Sequence, residues 1–158
     1  MTKGAGRFRK EAKKLGIQAE IFCLPQPTRT AFEAAEAINC RVGQIAKSII
    51  FKTASGKPIL VVASGASRID EKKLSRLLGE EIFKADANFV HRVTGFAIGG
   101  VPPFAHLKPI KTFLDKDLFT FSEVWAAAGD QFSVFKTTPQ FLQKVSHGEV
   151  VAIAQEKL

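Results

Sequence analysis

Residues 44–64, QIAKSIIFKTASGKPILVVAS, contain the pattern that decides the fold. Two β-rich runs, residues 44–53 and 59–64, flank the segment SGKP, whose glycine and proline are typical of a turn. The second run is almost entirely apolar, which indicates a strand that is covered on both faces. The segment therefore predicts a β-hairpin at the centre of a sheet.

Further elements are predicted on both sides of this hairpin, from helix caps and from clusters of β-branched and aromatic residues. Helices are expected at 7–15, 30–38, within 67–79, at 86–95 and after 138, and strands at 19–24, 44–53, 59–64, 110–114, 118–128, 131–137 and 149–154. After the first helix the order is β-α-β-β-α-α-β-β-β-α-β, which alternates too irregularly for a doubly wound fold. It predicts an α/β (α+β) domain with a mixed, mainly antiparallel central sheet wrapped by helices.

The length and composition indicate one ordinary globular domain over residues 1–158. No apolar run is long enough to cross a bilayer, and the first residues lack the apolar stretch of a secretory signal. Cys23 and Cys40 form no CxxC pair and have no metal-ligand spacing. These features predict a reduced, cytoplasmic protein without membrane association.

Positive charge is concentrated at the N-terminus. Residues 1–14 contain six Lys or Arg and one Glu, which gives +5 of the chain's net charge of +8. One interpretation is a frayed, solvated helix. The other is a basic arm for a polyanion such as RNA, because neutralising phosphates gives affinity without sequence preference.

The segment GFAIGGVPPFAH, residues 95–106, places two adjacent glycines and two adjacent prolines in an otherwise apolar run. The glycines permit close approach and leave N–H groups available, while Pro102 and Pro103 fix the backbone around them. The segment matches neither GxGxxG nor a P-loop. It is either a tight connection between two strands or a loop that offers N–H groups to an anion or a developing oxyanion.

Lys47 interrupts a predicted strand whose neighbours are apolar on both faces. A lysine at such a position is often an edge residue whose ammonium reaches water along apolar surface. The alternative is a cation at the mouth of a pocket, held against a phosphate or a carbonyl oxygen. Asp115, at the end of the strand IKTFLD, is a candidate counter-charge if the sheet brings it close.

Other chemistries find little support in the sequence. The three histidines have no GxSxG or other nucleophile signature near them, and with the two cysteines they make no metal-ligand set. Cys40 as a nucleophile has no partner at a recognisable spacing, so a small buried hydrophobe is the simpler interpretation. The sequence therefore predicts no metal and no cofactor.

Five segments in order resemble the YbaK/ProX family of freestanding aminoacyl-tRNA deacylases, which is related to the editing domain inserted in bacterial prolyl-tRNA synthetases. They are QIAKSIIF, VVASGASRIDEKKLSRLLG, VTGFAIGGVPPFAH, TFLDKDL and WAAAG followed by FKTTPQFL. The resemblance covers roughly residues 25–155 and leaves out the basic N-terminal segment. It implies a single YbaK-like editing domain, cytoplasmic, whose substrate is a mischarged aminoacyl-tRNA bound by its 3′ end.

The resemblance also implies site residues. Lys47 matches the family lysine that is associated with binding the tRNA end and supporting activity. Gly99, Gly100 and Pro103 match a GG-x-x-P loop that lines the pocket and offers N–H groups. Asp115 matches the aspartate that follows the strand leading out of the loop. Expected catalytic residues are thus Lys47, Gly99 and Gly100, and expected substrate-binding residues are Pro103, Asp115 and His106.

Some positions depart from the family pattern. Alanines precede Gly129 where many members carry a serine, Pro102 replaces a small polar residue, and Ala105 stands where glycine is frequent. The resulting apolar lining favours a small aliphatic amino acid, carried most simply on tRNA(Pro), with prolyl-tRNA synthetase as a candidate partner. The alternatives are a non-catalytic module of the same fold that binds a tRNA end or a synthetase, and a regulator that binds a small nucleotide.

Overall fold

The computed structural model describes residues 2–156. Within them lie five α-helices and eight strands. The helices are α1 (Lys3–Lys14), α2 (Ala31–Ile38), α3 (Glu71–Leu78), α4 (Ala87–Thr94) and α5 (Pro139–Ser146). The strands are β1 (Ile21–Cys23), β2 (Ile45–Thr53), β3 (Pro58–Ser64), β4 (Ile82–Lys84), β5 (Lys111–Asp115), β6 (Val124–Ala127), β7 (Ser133–Thr137) and β8 (Glu149–Val151).

The predicted hairpin is present at the centre of the sheet. Strands β2 and β3 pair antiparallel over seven residue pairs, from Ala46 opposite Ser64 to Lys52 opposite Pro58. Its turn includes Gly56 at φ +87°, a conformation that glycine adopts without a steric penalty. The run 60–63 of β3 is fully buried, as its apolar composition predicts.

All eight strands form one sheet in the order β1-β7-β6-β2-β3-β5-β8, with β4 also paired to β2. Four of the seven pairings are antiparallel, and β2–β6, β3–β5 and β5–β8 are parallel. The predicted mixed, mainly antiparallel sheet is therefore confirmed.

Strand β2 has a break along one edge. Its edge opposite β3 pairs with β6 at residues 45–46 and with β4 at residues 51–53. Residues 47–50 lie between these two pairings without a strand on that edge among the described residues. Because β4 and β6 are both short, the sheet opens here.

Helices cover both faces of the sheet. On one face α1, α4 and α5 pack on the largest apolar cluster, in which Phe8, Val90 and Leu142 meet Ala46 and Ile50 of β2. The segment 95–106 lies in the same cluster through the side chains of Phe96, Val101 and Phe104.

On the other face α3 packs through Leu74 against Phe51 and Val61, and α2 packs through its alanines against Ile45. Successive β2 residues thus face opposite layers, as the pleat of a strand requires. Lys47 and Ser48, which are neighbours in this alternation, consequently point to opposite faces.

The predicted helix caps are confirmed. The Thr30 hydroxyl accepts from the Glu33 N–H at 3.1 Å, Asp86 from the Phe89 N–H at 2.8 Å and Thr138 from the Phe141 N–H at 3.1 Å. Each side chain satisfies an N–H that has no partner within its own helix.

Three element predictions were wrong in detail. The predicted strand at 118–128 is a 3₁₀ helix (Lys116–Thr120) followed by β6, because the Asp115 carboxylate accepts from the Asp117 N–H at 2.9 Å and turns the chain. Strand β4 was missed, since three residues carry too little pattern. Helix α1 begins at Lys3 rather than Arg7, because Thr2 caps it.

Candidate functional site

A cleft of about 830 Å³ lies where the sheet opens beside β2. Its walls come from four parts of the chain: the segment that leads into α2, the segment between β3 and α3, the loop after α4, and the turn between β6 and β7. The floor is β2 itself, residues 45–51. Of the six predicted site residues, Lys47 and Gly99 line this cleft.

Lys47 is a half-buried cation in the open part of β2, opposite Ala63 in the hairpin. Burial lowers the pKa of its ammonium below the usual range for lysine, and the positive charge of Lys84 lowers it further. The ion pairs found within residues 2–156 join Lys14 to Glu11 and Lys136 to Glu123, so none neutralises Lys47. Such a cation is available to an anionic or carbonyl oxygen of a ligand.

Ser48 follows Lys47 and also lines the cleft. Its hydroxyl oxygen is buried and has no hydrogen-bond partner among the described residues. A buried hydroxyl without a partner costs about 1–3 kcal/mol, and a rotation about χ1 would break no hydrogen bond. Ser48 was not predicted from the sequence, although a serine inside a run of β-branched and aromatic residues was a usable signal.

The loop at residues 95–106 reaches the cleft through Ile98, Gly99 and Val101. Gly99 has φ +87°, and its N–H takes part in none of the hydrogen bonds of the described loop. The Gly100 N–H, by contrast, donates to the Ala97 carbonyl at 3.0 Å. Of the two adjacent glycines, Gly99 therefore has an amide available to a ligand, while the Gly100 amide closes a turn.

Gly100 has a packing role that explains why it lacks a side chain. A Cβ at this position would overlap the backbone of Asp130. The Gly100 carbonyl accepts from the Gly129 N–H at 3.1 Å, which ties the loop to the β6–β7 turn. Gly100 thus sets the position of the cleft wall on which Gly99 sits.

Pro103 and His106 hold the loop from within. Pro103 is buried, and the His106 ring donates from Nε2 to the Pro102 carbonyl at 2.7 Å. Burial lowers the pKa of His106, although the hydrogen bond to Pro102 acts in the opposite direction. Neither residue is part of the cleft lining, and their direct contact with a substrate stays a prediction.

Asp115 is completely buried at the end of β5. One carboxylate oxygen accepts from the Ser64 N–H at 2.9 Å and the other from the Asp117 N–H at 2.9 Å. The residue forms no ion pair with Lys47 within the described chain and does not line the cleft. It fixes the end of β3, directly before the segment that forms one cleft wall.

The cleft carries more positive charge than the sequence indicated. Arg29, Arg68 and Lys84 line it together with Lys47, against the acidic residues Glu71 and Asp130. These residues come from strands, a helix and connections that are far apart in the chain, so no local pattern in the sequence groups them. The surplus of cations favours an anionic ligand.

The remaining candidates contribute no reactive group to this cleft. Cys40 packs against the α2 cluster, and burial raises the pKa of its thiol, which lowers its reactivity at neutral pH. Within residues 2–156 no three His, Cys, Asp or Glu side chains gather closely enough to hold a metal ion. None of the helices described here has the length and apolar composition needed to cross a membrane.

The arrangement has two chemically distinct compartments. Lys47 shares one face of β2 with Ile45, Ile49 and Phe51, whereas Ser48 lies on the face of the largest apolar cluster. The side chains of Val90 and Val101 make the second compartment apolar. A ligand with an anionic part and a small apolar part matches the two compartments.

Comparisons with known proteins agree with this description. The family model of the aminoacyl-tRNA editing domain matches residues 25–145. The uncharacterised Bacillus subtilis protein YwhH is 36% identical over 121 residues, which is 77% of each chain. A solved structure described as a candidate trans-editing enzyme for prolyl tRNA synthetase has a TM-score of 0.93 and 38% identity, over 99% of both chains.

A more distant relative is EbsC of Enterococcus faecalis, which is named as a candidate Cys-tRNA(Pro)/Cys-tRNA(Cys) deacylase. It is 21% identical over 148 residues, 93% of this chain and 90% of its own. The match to the family model covers more than half of the chain and includes the cleft floor, the loop and the β6–β7 turn. The chain therefore belongs to the aminoacyl-tRNA editing domain family.

Proposed function

We propose that the protein is a trans-editing deacylase that hydrolyses the ester between a small amino acid and the 3′-terminal ribose of a mischarged tRNA(Pro). Water adds to the ester carbonyl carbon, and the bond from that carbon to the ribose oxygen breaks. The products are the free amino acid and a tRNA with its terminal hydroxyl restored. The names of the two relatives that mention prolyl-tRNA support this choice of tRNA.

One observation carries the proposal: Lys47 and the free N–H of Gly99 lie in a single cleft. The ammonium of Lys47 binds the phosphate or ribose oxygens of the tRNA end. The Gly99 N–H donates to the carbonyl oxygen as negative charge develops on it. One such donor contributes about 3–4 kcal/mol of transition-state stabilisation in a protease where it has been removed.

An aminoacyl ester is already activated, so a donor and correct positioning supply enough acceleration without a protein nucleophile. In this proposal the attacking water is oriented by the substrate's own hydroxyl or amino group, and no metal takes part. The proposal places the protein in the cytoplasm, with prolyl-tRNA synthetase as the source of the mischarged tRNA.

The apolar compartment determines which amino acid is removed. The side chains of Val90 and Val101 leave room for a small aliphatic group, and the buried Ser48 hydroxyl of β2 lies on that side. A polar substrate side chain would need a hydrogen-bond partner in this compartment, so an aliphatic side chain is favoured.

The test is a deacylation panel on tRNA(Pro) that carries alanine, serine, threonine, cysteine, 2-aminobutyrate or proline, in the presence of EDTA. We expect release of one or two small residues, retention of proline, and at least a tenfold loss of rate for Lys47→Met. Lys57→Met, at the exposed hairpin turn, is the matched control and keeps the wild-type rate.

Failure takes distinct forms. No release across the panel, with tRNA binding that weakens steeply with salt, would establish a binding module of the same fold instead. Binding of free adenosine nucleotides without tRNA binding would indicate a nucleotide-dependent regulator. Release that stops with EDTA and returns with a divalent metal would contradict the metal-free mechanism.

A further inference from the structure

The outer face of α1 is a regular row of cations. Lys3, Lys10 and Lys14 are exposed and lie seven and four residues apart, so they share one side of the helix. The opposite side is buried and consists of Ala5, Phe8 and Ala12. We call the row formed by Lys3, Lys10 and Lys14 the basic face of α1.

The helix that carries this face is firmly docked. The ring of Phe8 lies 5.4 Å from that of Phe104 and 5.0 Å from that of Phe135, measured between centroids. The guanidinium of Arg7 sits 5.8 Å from the ring centroid of Phe96. These contacts contradict the interpretation of the basic segment as a frayed helix, because the cations of residues 3–14 lie on a helix that is packed against the core.

The first turn of α1 touches the wall of the cleft. Gly4 packs backbone to backbone against Gly129, where a Cβ on either residue would overlap the other. The Thr2 hydroxyl bonds to the carboxylate of Asp130, which lines the cleft. From this point the helix runs for about 18 Å, at 1.5 Å per residue. The basic face therefore begins beside the wall of the cleft.

The charges of this face are largely unneutralised. Within the described residues the ion pair of this helix joins Lys14 to Glu11 at 3.2 Å, and it is exposed. Exposed pairs contribute little stability, so Lys14 can exchange its partner for a phosphate. A row of cations on a rigid helix matches the spaced phosphates of a polynucleotide.

We propose that the basic face of α1 binds the phosphate backbone of the RNA whose 3′ end occupies the cleft. This inference rests on the proposed function for the identity of the RNA. The face supplies affinity for the body of the tRNA and takes no part in the chemistry. The family model begins at residue 25, so this contact lies outside the matched editing domain.

The experiment compares two triple variants of equal net charge. Lys3→Gln, Lys10→Gln and Lys14→Gln remove the basic face. Lys57→Gln, Lys72→Gln and Lys144→Gln remove three exposed lysines on other elements. Binding of uncharged tRNA is measured between 50 and 300 mM salt, and thermal unfolding checks that both variants are folded.

We expect the α1 variant to bind tRNA at least tenfold more weakly, with the slope of log affinity against log salt reduced by about 2 to 3. The control variant is expected to stay within threefold of wild type. In deacylation assays, the α1 variant should also have a lower kcat/KM than wild type for full-length aminoacyl-tRNA. Its rate of hydrolysis of a short aminoacyl-nucleotide should equal that of wild type.

Several results would overturn the inference. Equal losses of tRNA affinity in both variants would show that net charge alone is responsible. Unchanged tRNA affinity in the α1 variant, or no measurable binding of tRNA by wild type, would also contradict it. Loss of binding to vesicles that contain anionic lipid, with tRNA affinity retained, would assign the face to a membrane instead. Because the binding arm uses uncharged tRNA, it gives its answer even if no deacylation is found.

Discussion

Lys47 of β2 and Lys84 of β4 face the same cleft from neighbouring strands, and no ion pair within the described residues neutralises either one. Each positive charge raises the free energy of the other, and burial adds to this for Lys47. Like charges held together without a counter-ion are typical of sites where the ligand supplies the opposite charge.

Replacement of Lys47 by methionine is expected to stabilise the protein while it removes activity. A lysine whose folded-state pKa is depressed binds its proton less tightly in the folded than in the unfolded chain. Its charge therefore destabilises the fold at neutral pH, and this penalty decreases as the pH rises from the folded-state pKa toward the ordinary value of 10.5. Thermal unfolding should show a higher midpoint for Lys47→Met at pH 7, with the gain shrinking toward pH 11.

Two further results complete this test. Lys84→Gln should raise the pKa of Lys47, which NMR of the lysine side-chain signals can follow. A lower unfolding midpoint for Lys47→Met at pH 7 would contradict the account of the site as an electrostatically strained pair.

Replacement of Ser48 by alanine removes a buried hydroxyl that has no partner among the described residues. The free energy of unfolding should therefore rise by about 1 kcal/mol. If the hydroxyl also contacts the substrate, kcat/KM falls by about tenfold, the equivalent of one neutral hydrogen bond. Chemical denaturation and deacylation kinetics measure the two effects separately.

One result would contradict the prediction for Ser48→Ala. A loss of stability of 1 kcal/mol or more would mean that the hydroxyl is satisfied in solution. Ser48→Cys is the useful control, because it keeps the approximate shape but makes only weak hydrogen bonds.

Replacement of Gly100 by alanine should displace the cleft wall. The added Cβ overlaps the backbone of Asp130, so the loop or the β6–β7 turn must shift. We expect a loss of about 1–3 kcal/mol in stability and a large loss of deacylation. Gly56→Ala serves as the control, since its Cβ meets nothing within 4 Å and only its φ of +87° opposes the change. Wild-type activity in Gly100→Ala would refute the positioning role.

Replacement of Ala105 by glycine should stabilise the loop. Ala105 has φ +70°, a left-handed conformation that is unfavourable for a residue with a Cβ. Glycine relieves this strain, but it also has greater conformational freedom in the unfolded chain, which offsets part of the gain. The net increase in the free energy of unfolding is about 0.5–1 kcal/mol. Denaturant titration measures the gain, and unchanged kcat/KM is expected because Ala105 lies outside the cleft lining. A lower free energy of unfolding for Ala105→Gly would show that Ala105 is not strained.

Protonation of His106 should weaken the fold at mildly acidic pH. Burial depresses its folded-state pKa below the ordinary value of 6.5, so the unfolded chain binds the proton more readily. The stability that the neutral His106 side chain contributes is fully present above pH 6.5. It is lost as the pH falls from this value toward the folded-state pKa. The stability of wild type should fall more than that of His106→Gln between pH 7 and pH 5. Parallel pH profiles for the two proteins would refute this.

Sequence patterns predicted the elements that local chemistry defines. The hairpin follows from two β-rich runs and a turn at Gly56, and the caps at Thr30, Asp86 and Thr138 follow from hydrogen bonds within four residues. Strand β4 could not be predicted, because three residues gain their structure from pairing with β2 rather than from their own pattern.

The site was predictable only in part, for a related reason. Lys47 and Gly99 were identified because motifs surround them, and both line the cleft. Arg29 and Arg68 reach the cleft through the fold of distant connections, which no spacing in the sequence expresses. Asp115 was predicted to be a counter-charge for Lys47 and a substrate-binding residue, but its carboxylate accepts from the N–H of Ser64, which is 51 residues earlier in the chain.

The break along the edge of β2 has a consequence for how such a domain can diversify. The walls of the opening are built from the segment that leads into α2, the segment between β3 and α3, the loop after α4 and the β6–β7 turn, whereas the hairpin of β2 and β3 forms the centre of the sheet. Insertions or exchanges in the walls leave the pairing of this hairpin intact. New substrate preferences can therefore arise by remodelling four surface segments around a constant floor.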